Sequence, residues 1–186
     1  MTNLFDIKRI LLTTATCLIA ALLSFYLCLI NEIIFIIPII FSIAVPLTNL
    51  DRIITKKKYQ AFVLSAMLTT ILFFISVPLG LLIGQSFLGY YSIYIVCLLS
   101  GLLALLINSV FIKIDNIKFG LLAIGLLSLT IPFLTDKLKG STIFDITFFG
   151  DPTSFFIIWQ TVIGLGLAIS IWTKTNRRKK RAYNIL

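Results

Sequence analysis

Side chains able to carry out acid–base, nucleophilic or metal chemistry are scarce in this sequence. It contains no histidine, which excludes Ser-His hydrolases and His-ligated haem. Cys17, Cys28 and Cys97 form no C-x-x-C pair and do not have the spacing of metal ligands. The acids Asp145 and Asp151 have no nucleophile beside them. The sequence therefore predicts a protein that is not an enzyme, with no catalytic residue, metal site or cofactor.

A small set of residues remains as candidate contacts for a solute or a protein partner. Asn108 and Gln160 place amides inside apolar runs, and their own helix cannot satisfy every hydrogen-bonding group of an amide. Each is therefore predicted to contact a neighbouring helix, water or a polar solute. The loop acids Asp145 and Asp151 are the candidates for contacts with an external ligand or partner.

Two prolines complete the set, because each removes a backbone N–H, frees a carbonyl and bends its helix. Pro46 lies in SIAVPL and Pro132 in SLTIPF, within the two shortest apolar runs. Short, proline-interrupted helices at corresponding places are typical of substrate sites in inverted-repeat transporters. A chance match among apolar helices is the alternative, since Ser76–Leu79 reads SVPL.

Six apolar runs must position these residues. The chain is 59% hydrophobic and 12% charged, and a water-soluble chain of this length does not bury so much apolar surface. A helix crosses a bilayer in about 20 residues, whereas an open strand in lipid leaves backbone groups unpaired. The first run is expected to be a retained span rather than a cleaved signal. The sequence predicts an all-α, polytopic membrane helix bundle, a single domain of residues 1–186 with six transmembrane helices at about 10–30, 33–50, 59–83, 92–112, 119–134 and 155–172.

The distribution of basic residues predicts the orientation. Fourteen of the 16 Lys and Arg lie before the first span, between spans two and three, between spans four and five, or after the sixth. Because bases concentrate in cytoplasmic segments, both termini are predicted to be cytoplasmic. An outer loop is predicted at 135–154, either lying at the interface or folded back as a lid, and a basic cytoplasmic tail at 173–186.

The formal net charge of +9 lies in short segments between apolar runs, which favours anionic lipid over nucleic acid as the partner. The loop acids Asp51 and Asp115 are expected to be solvated, and Trp159 and Trp172 to lie in interfacial aromatic belts. The predicted contacts with lipid headgroups are those of the tail cluster, Arg177, Arg178, Lys179, Lys180 and Arg181.

Two functional interpretations stay open. No charged residue lies in the middle of a span, which argues against proton antiport and against a charged substrate. The paired proline spans, the hydroxyls at depth and the outer segment favour a transporter, or the membrane component of one, for a neutral or lipophilic small solute. The alternative is a non-catalytic membrane interaction protein: a complex subunit, an assembly factor or an immunity protein. Small-residue rows such as Gly164–Ala168 and Gly166–Ser170 are predicted to pack helices internally rather than to form a dimer face. Richness in Ile, Lys and Asn indicates a bacterial gene and hence the cytoplasmic (inner) membrane.

Overall fold

The computed structural model describes residues 5–31, 36–83, 91–138 and 155–173, and these residues form a helical bundle. Within them there is no β-strand, and a short 3-10 helix, Leu50–Arg52, follows the second α-helix. The six α-helices of the described residues are α1 (Ile7–Asn31), α2 (Ile36–Thr48), α3 (Lys58–Ile83), α4 (Ser92–Phe111), α5 (Ile117–Leu138) and α6 (Phe155–Trp172). All of these except α2 are long and apolar enough to cross a membrane. The predicted all-α, multi-pass membrane bundle is confirmed.

The helices form a closed ring in chain order, in which α6 lies between α5 and α1 and is the most buried helix. Each helix packs on its neighbours along the chain, and α6 also packs on α1, with smaller contacts to α2 and α4. Burial reflects this order, since 61% of the α6 span is buried but only 17% of the apolar part of α3. The side chains of Ile163, Leu167 and Ile171 on α6 are fully buried. The last helix is therefore the core element, and α3 is the peripheral one.

Small residues bring α6 close to its neighbours. A Cβ atom added at Gly164 would lie 2.5 Å from the Cβ of Cys17 on α1, and one added at Gly166 would lie 2.6 Å from Ile124 on α5. A Cβ atom added at Gly120 on α5 would lie 2.8 Å from the hydroxyl oxygen of Ser170 on α6. These helix pairs can approach this closely only because the glycines carry no side chain. The predicted internal packing of these rows is confirmed.

The chain segments that carry the basic residues meet at one end of the bundle, here called the basic end. Phe5 and Thr173 form an isolated antiparallel bridge, which joins the beginning of α1 to the end of α6. A second bridge pairs Ile53 with Ile112, and the Lys113 amide donates to the Arg52 carbonyl at 2.8 Å. The segment before α1, the α2–α3 and α4–α5 connections and the residue after α6 therefore share one end, as the alternation of charge predicts.

The helix bounds correct two predicted boundaries. The prediction ended the fifth span at 134 and began the outer loop at 135, but α5 continues to Leu138. The Thr135 hydroxyl bonds back to the Ile131 carbonyl at 2.9 Å, and the Lys137 ammonium lies 5.7 Å from the Phe133 ring centroid. A lysine can end a membrane helix in this way because its stem covers apolar surface while its ammonium reaches water.

The length of α5 also weakens the predicted repeat. With 22 residues, α5 is longer than α6, so Pro132 does not lie in one of the two shortest helices. At the other boundary, α1 begins at Ile7 rather than at residue 10, because the Asp6 side chain accepts a hydrogen bond from the Arg9 amide at 3.4 Å. The remainder of the predicted outer loop, 139–154, and the tail from 174 lie outside the described residues.

Candidate functional site

A cavity lies between α2, α3, α4 and α6, in the half of the bundle away from the basic end. Its position along the bundle follows from α6. Phe155, Phe156 and Trp159, near the beginning of α6, line the cavity, whereas Trp172, at the other end of α6, lies at the basic end. The cavity volume is about 40 Å³, enough for one or a few water molecules. Small-molecule sites usually have volumes of about 300–1,000 Å³, so the cavity as it stands is too small for a drug-sized molecule.

The cavity wall is apolar with a few hydroxyls whose hydrogen bonds are made within the protein. The Trp159 indole N–H donates to the Ser100 hydroxyl at 3.0 Å, and that hydroxyl donates to the Cys97 carbonyl at 3.1 Å. The Ser76 hydroxyl donates to the Phe73 carbonyl at 3.4 Å. None of the described residues that line the cavity is charged. The wall therefore suits a neutral, largely apolar occupant, because it offers nothing to replace the hydration of an ion.

Aromatic side chains close the cavity between α3 and α6. The Phe73 and Phe156 ring centroids lie 5.2 Å apart, and Phe73 also contacts Phe74 at 5.4 Å. On the other side of the cavity, Phe41 packs on Trp159 with their centroids 5.4 Å apart. These separations are those of favourable tilted and edge-to-face ring pairs. The rings that line the cavity are those of Phe73, Phe155, Phe156 and Trp159, and they make tilted and edge-to-face contacts.

The two predicted amides occupy different environments. Gln160 is fully buried beside Trp159, and its Nε2 donates to the Ile37 carbonyl on α2 at 3.0 Å. Its Oε1 has no hydrogen-bond partner among the described residues. The Asn108 Nδ2 donates instead to the Ala104 carbonyl of its own helix, at 2.8 Å. Gln160 therefore links helices as predicted and keeps one free acceptor, whereas Asn108 bonds within α4.

The structure does not bring the two predicted prolines together. Pro46 is buried near the end of α2 at the basic end, and Pro132 is buried in α5. In the described residues α2 and α5 share no substantial contact, and neither proline lines the cavity. The carbonyl that Pro46 leaves without its helical donor is that of Ser42, which accepts a hydrogen bond from the buried Ser65 hydroxyl of α3 at 3.4 Å. Pro46 therefore leaves a backbone carbonyl of α2 free to accept a hydrogen bond from α3.

The basic end contains a polar cluster that sequence reasoning missed. Trp172 is only 7% exposed, and its indole N–H donates to the Asn49 Oδ1 at 2.8 Å. The Arg9 and Arg52 guanidinium carbons lie 5.0 and 4.5 Å from the Trp172 ring centroid. Arg52 also pairs with Asp115 at 2.9 Å. Trp172 lies at the basic end, but its ring faces the bundle interior, where two guanidinium groups and a buried acceptor contact it.

Two further interpretations of single residues are corrected. Asp115 was expected to be solvated, but its side chain is only 21% exposed and it pairs with Arg52. Trp159 was expected in the outer belt, but it is buried against α4 and lines the cavity. Asp51 fits the expectation better, since it is half-exposed and 3.7 Å from Arg9. One feature of the sequence could have indicated the Arg52–Asp115 pair. The two residues lie in different connections that the charge distribution places on the same side of the membrane.

The remaining predicted contacts lie outside the described residues: Asp145, Asp151, Arg177, Arg178, Lys179, Lys180 and Arg181. In the part of the chain that the structure describes, no three His, Cys, Asp or Glu side chains come together as possible metal ligands. No family model, no curated protein and no solved structure matches this chain. The function must therefore be inferred from the geometry of the bundle and its cavity.

Proposed function

We propose that the protein is a transporter, or the membrane component of a transporter, that binds a small neutral or lipophilic solute in the cavity between α2, α3, α4 and α6. The observation that carries this proposal is the cavity wall, apolar and uncharged along its described residues, with its hydroxyls bonded internally. An ion placed there would lose several kcal/mol of hydration without a counter-charge. The cavity volume is about 40 Å³, so binding a solute larger than a few water molecules requires the surrounding helices to move apart.

The proposed setting is the cytoplasmic membrane of a bacterium, with the basic end facing the cytoplasm. The exposed lysines of that end, among them Lys56, Lys57, Lys58 and Lys113, support contact with anionic lipid headgroups. Each base near the surface contributes about 1 kcal/mol to such binding. The cavity then lies in the outer half of the bundle.

Uptake by the purified protein in liposomes, across a panel of small neutral solutes, tests the proposal. Specific and saturable uptake is the expected result. Ser76→Leu places a larger side chain in the cavity and should abolish that uptake, because the leucine takes up space that the solute would occupy. Thr130→Leu is the matched control, since Thr130 is exposed on α5 and bonds only to its own helix. Equal uptake by native protein and Ser76→Leu would contradict a site in this cavity.

The alternative, a non-catalytic interaction protein, has less support. It rested on the lack of charge at depth, the rows of small residues and the outer aromatic segment. Of these, the small residues Gly164 and Gly166 pack against α1 and α5 within the bundle, and the outer segment 139–154 lies outside the described residues. Ser100 and Ala104 on α4 are buried as well. Absence of uptake, together with a membrane protein that co-purifies in a fixed ratio, would favour this alternative over transport.

A further inference from the structure

The wall of the cavity between α2, α3, α4 and α6 is more strictly apolar than its residue types indicate. Three of its described residues carry hydroxyls, Thr69, Ser76 and Ser100, yet carbon atoms make up nearly all of the surface that faces the cavity. The Ser76 and Ser100 hydroxyls donate to the carbonyls of Phe73 and Cys97, each in its own helix. These polar groups are thus directed toward the protein and not toward the cavity.

A water molecule in this cavity would lack hydrogen-bond partners. Buried waters usually make about three hydrogen bonds to polar groups around them. Ser76 and Ser100 can only accept from such a water, because each already donates to a carbonyl. Thr69 precedes Ser76 by about 10 Å along α3, so one water, with hydrogen bonds of about 3 Å, cannot reach both. A water therefore reaches at most two of the three hydroxyls, fewer partners than buried waters usually have.

Aromatic side chains make the wall suitable for an apolar occupant. Phe73, Phe155, Phe156 and Trp159 line the cavity, and the Trp159 N–H is bonded to the Ser100 hydroxyl. Wall atoms that face an empty space lack dispersion contacts on that side, and an apolar occupant supplies them. Apolar cavities lined in this way stay dry and bind molecules such as benzene or xenon.

We infer that the cavity is dry and that its occupant is an apolar molecule of a few non-hydrogen atoms, such as a dissolved gas or a short hydrocarbon. The inference rests on the proposed function in treating this occupant as the transported solute, and it excludes neutral polar solutes such as amides and polyols. A polar solute would exchange its hydrogen bonds to water for contacts with carbon. The volume of about 40 Å³ limits the size of the molecule that fits without movement of the helices.

Xenon is the probe for this inference, because it is apolar and makes no hydrogen bonds. The full chain in detergent micelles is labelled at the methyl groups of valine and leucine, and their NMR signals are followed as the xenon pressure rises. Val96 and Leu72 line the cavity, so their signals should shift and reach saturation. Val63 is 54% exposed on α3, so its signal reports xenon dissolved in the micelle and should shift only in proportion to pressure.

Variants of the wall locate the xenon and detect water. Ser76→Leu takes up the space and should lower the xenon affinity by about tenfold or more, whereas Thr130→Leu, on the exposed side of α5, should leave it unchanged. Thr69→Val replaces a hydroxyl of the wall with a methyl group, so in a dry cavity the affinity should change by less than about twofold. If Ser76→Leu does not elute as a folded protein in size-exclusion chromatography, Val96→Leu takes up the space from α4, with Leu72 as the reporter.

Saturable shifts at Val96 and Leu72 that are lost in Ser76→Leu are the expected result. Shifts that rise only in proportion to pressure would overturn the inference. So would a large gain in xenon affinity in Thr69→Val, because it would show that the variant had expelled a bound water. Xenon binding needs no transport, so binding without uptake of any solute would leave the dry cavity standing and remove the proposed function. Saturable uptake of polar solutes alone would keep transport and overturn the apolar occupant.

Discussion

Each of the two tryptophans of this chain buries an indole whose N–H is bonded to another helix. Trp159 donates to Ser100 of α4, and Trp172 donates to Asn49 at the end of α2. Hydropathy places tryptophan at the membrane interface, which is its usual location. The acceptors lie 59 and 123 residues away in sequence, so no local pattern reveals them. The sequence therefore indicated that a tryptophan lies near each end of α6, but not which residue accepts a hydrogen bond from its N–H.

The Arg52–Asp115 pair gives the first prediction at the residue scale. Asp115→Asn leaves a guanidinium that is only 19% exposed beside a neutral amide, and it should lower the free energy of unfolding by about 1–2 kcal/mol. The measurement is the thermal midpoint in detergent. Asp51→Asn is the matched control, because its pair with Arg9 is longer and half-exposed. Equal losses in the two variants would show that the closer pair carries no special stabilisation.

Gln160 gives a second prediction at this scale. Its buried Oε1 has no partner among the described residues, so Gln160→Leu removes an uncompensated acceptor together with the Nε2–Ile37 hydrogen bond. Removing the unpaired acceptor stabilises the fold and losing the hydrogen bond destabilises it by a similar amount, so the thermal midpoint should change little. If the free oxygen contacts the solute, uptake in liposomes should fall while stability holds. Native uptake by this variant would remove Gln160 from the set of solute contacts.

At the scale of the helices, Pro46 and Ser65 should be coupled. Ser65→Ala removes the donor to the Ser42 carbonyl and should cost about 0.6 kcal/mol, the average for hydrogen bonds between membrane helices. In a Pro46→Ala chain the residue 46 amide bonds to Ser42 itself, so the same serine substitution should cost almost nothing. A double-mutant cycle on unfolding measures the coupling. Additive effects would show that the serine does not satisfy the carbonyl freed by the proline.

The α1–α6 contact gives a second prediction at this scale. Gly164→Ala pushes a methyl group against Cys17 and should lower stability by about 1–3 kcal/mol. Gly125→Ala is the control on α5, because its new methyl would come no closer than 3.7 Å to Leu98. Alanine is favoured over glycine in a helix by about 1 kcal/mol, so that variant should be at least as stable as the native chain. Cys17→Gly should partly restore the Gly164→Ala chain, and a failure to do so would place the strain elsewhere.

Helix existence was predictable from hydropathy, but some helix ends were not. The six apolar runs correspond to the six helices of the described residues because length and lipid exclude other structures. Asp136 and Lys137 read as loop, yet they continue α5, since charged side chains are tolerated where a helix reaches the interface. The cavity was not predictable, because it depends on which faces of α3 and α6 meet. The positions of aromatic and small residues in an apolar helix do not determine which of its faces packs on a neighbour.

At the scale of the whole molecule, the arrangement of the segments predicts which positions share a side of the membrane. Cysteines introduced at Lys57 and Lys113 should react with a membrane-impermeant reagent from the same side, and one introduced at Lys137 should react from the opposite side. The positive-inside rule expects the first two to be accessible only from the cytoplasm. Modification in right-side-out and inside-out vesicles measures this. Accessibility of Lys57 and Lys137 from one side would contradict the six-span topology.

The place of α6 between α5 and α1 has a consequence for biogenesis. The helix that joins α1 to α5 follows the other five described helices in the chain, so the faces of α1 and α5 that contact it stay uncovered until α6 is inserted. During that interval the Asn49 side chain lacks the indole that it accepts from in the finished bundle. Chains that stop before residue 155 should therefore be degraded faster than chains that contain α6, because the packing faces of α1 and α5 stay exposed in them.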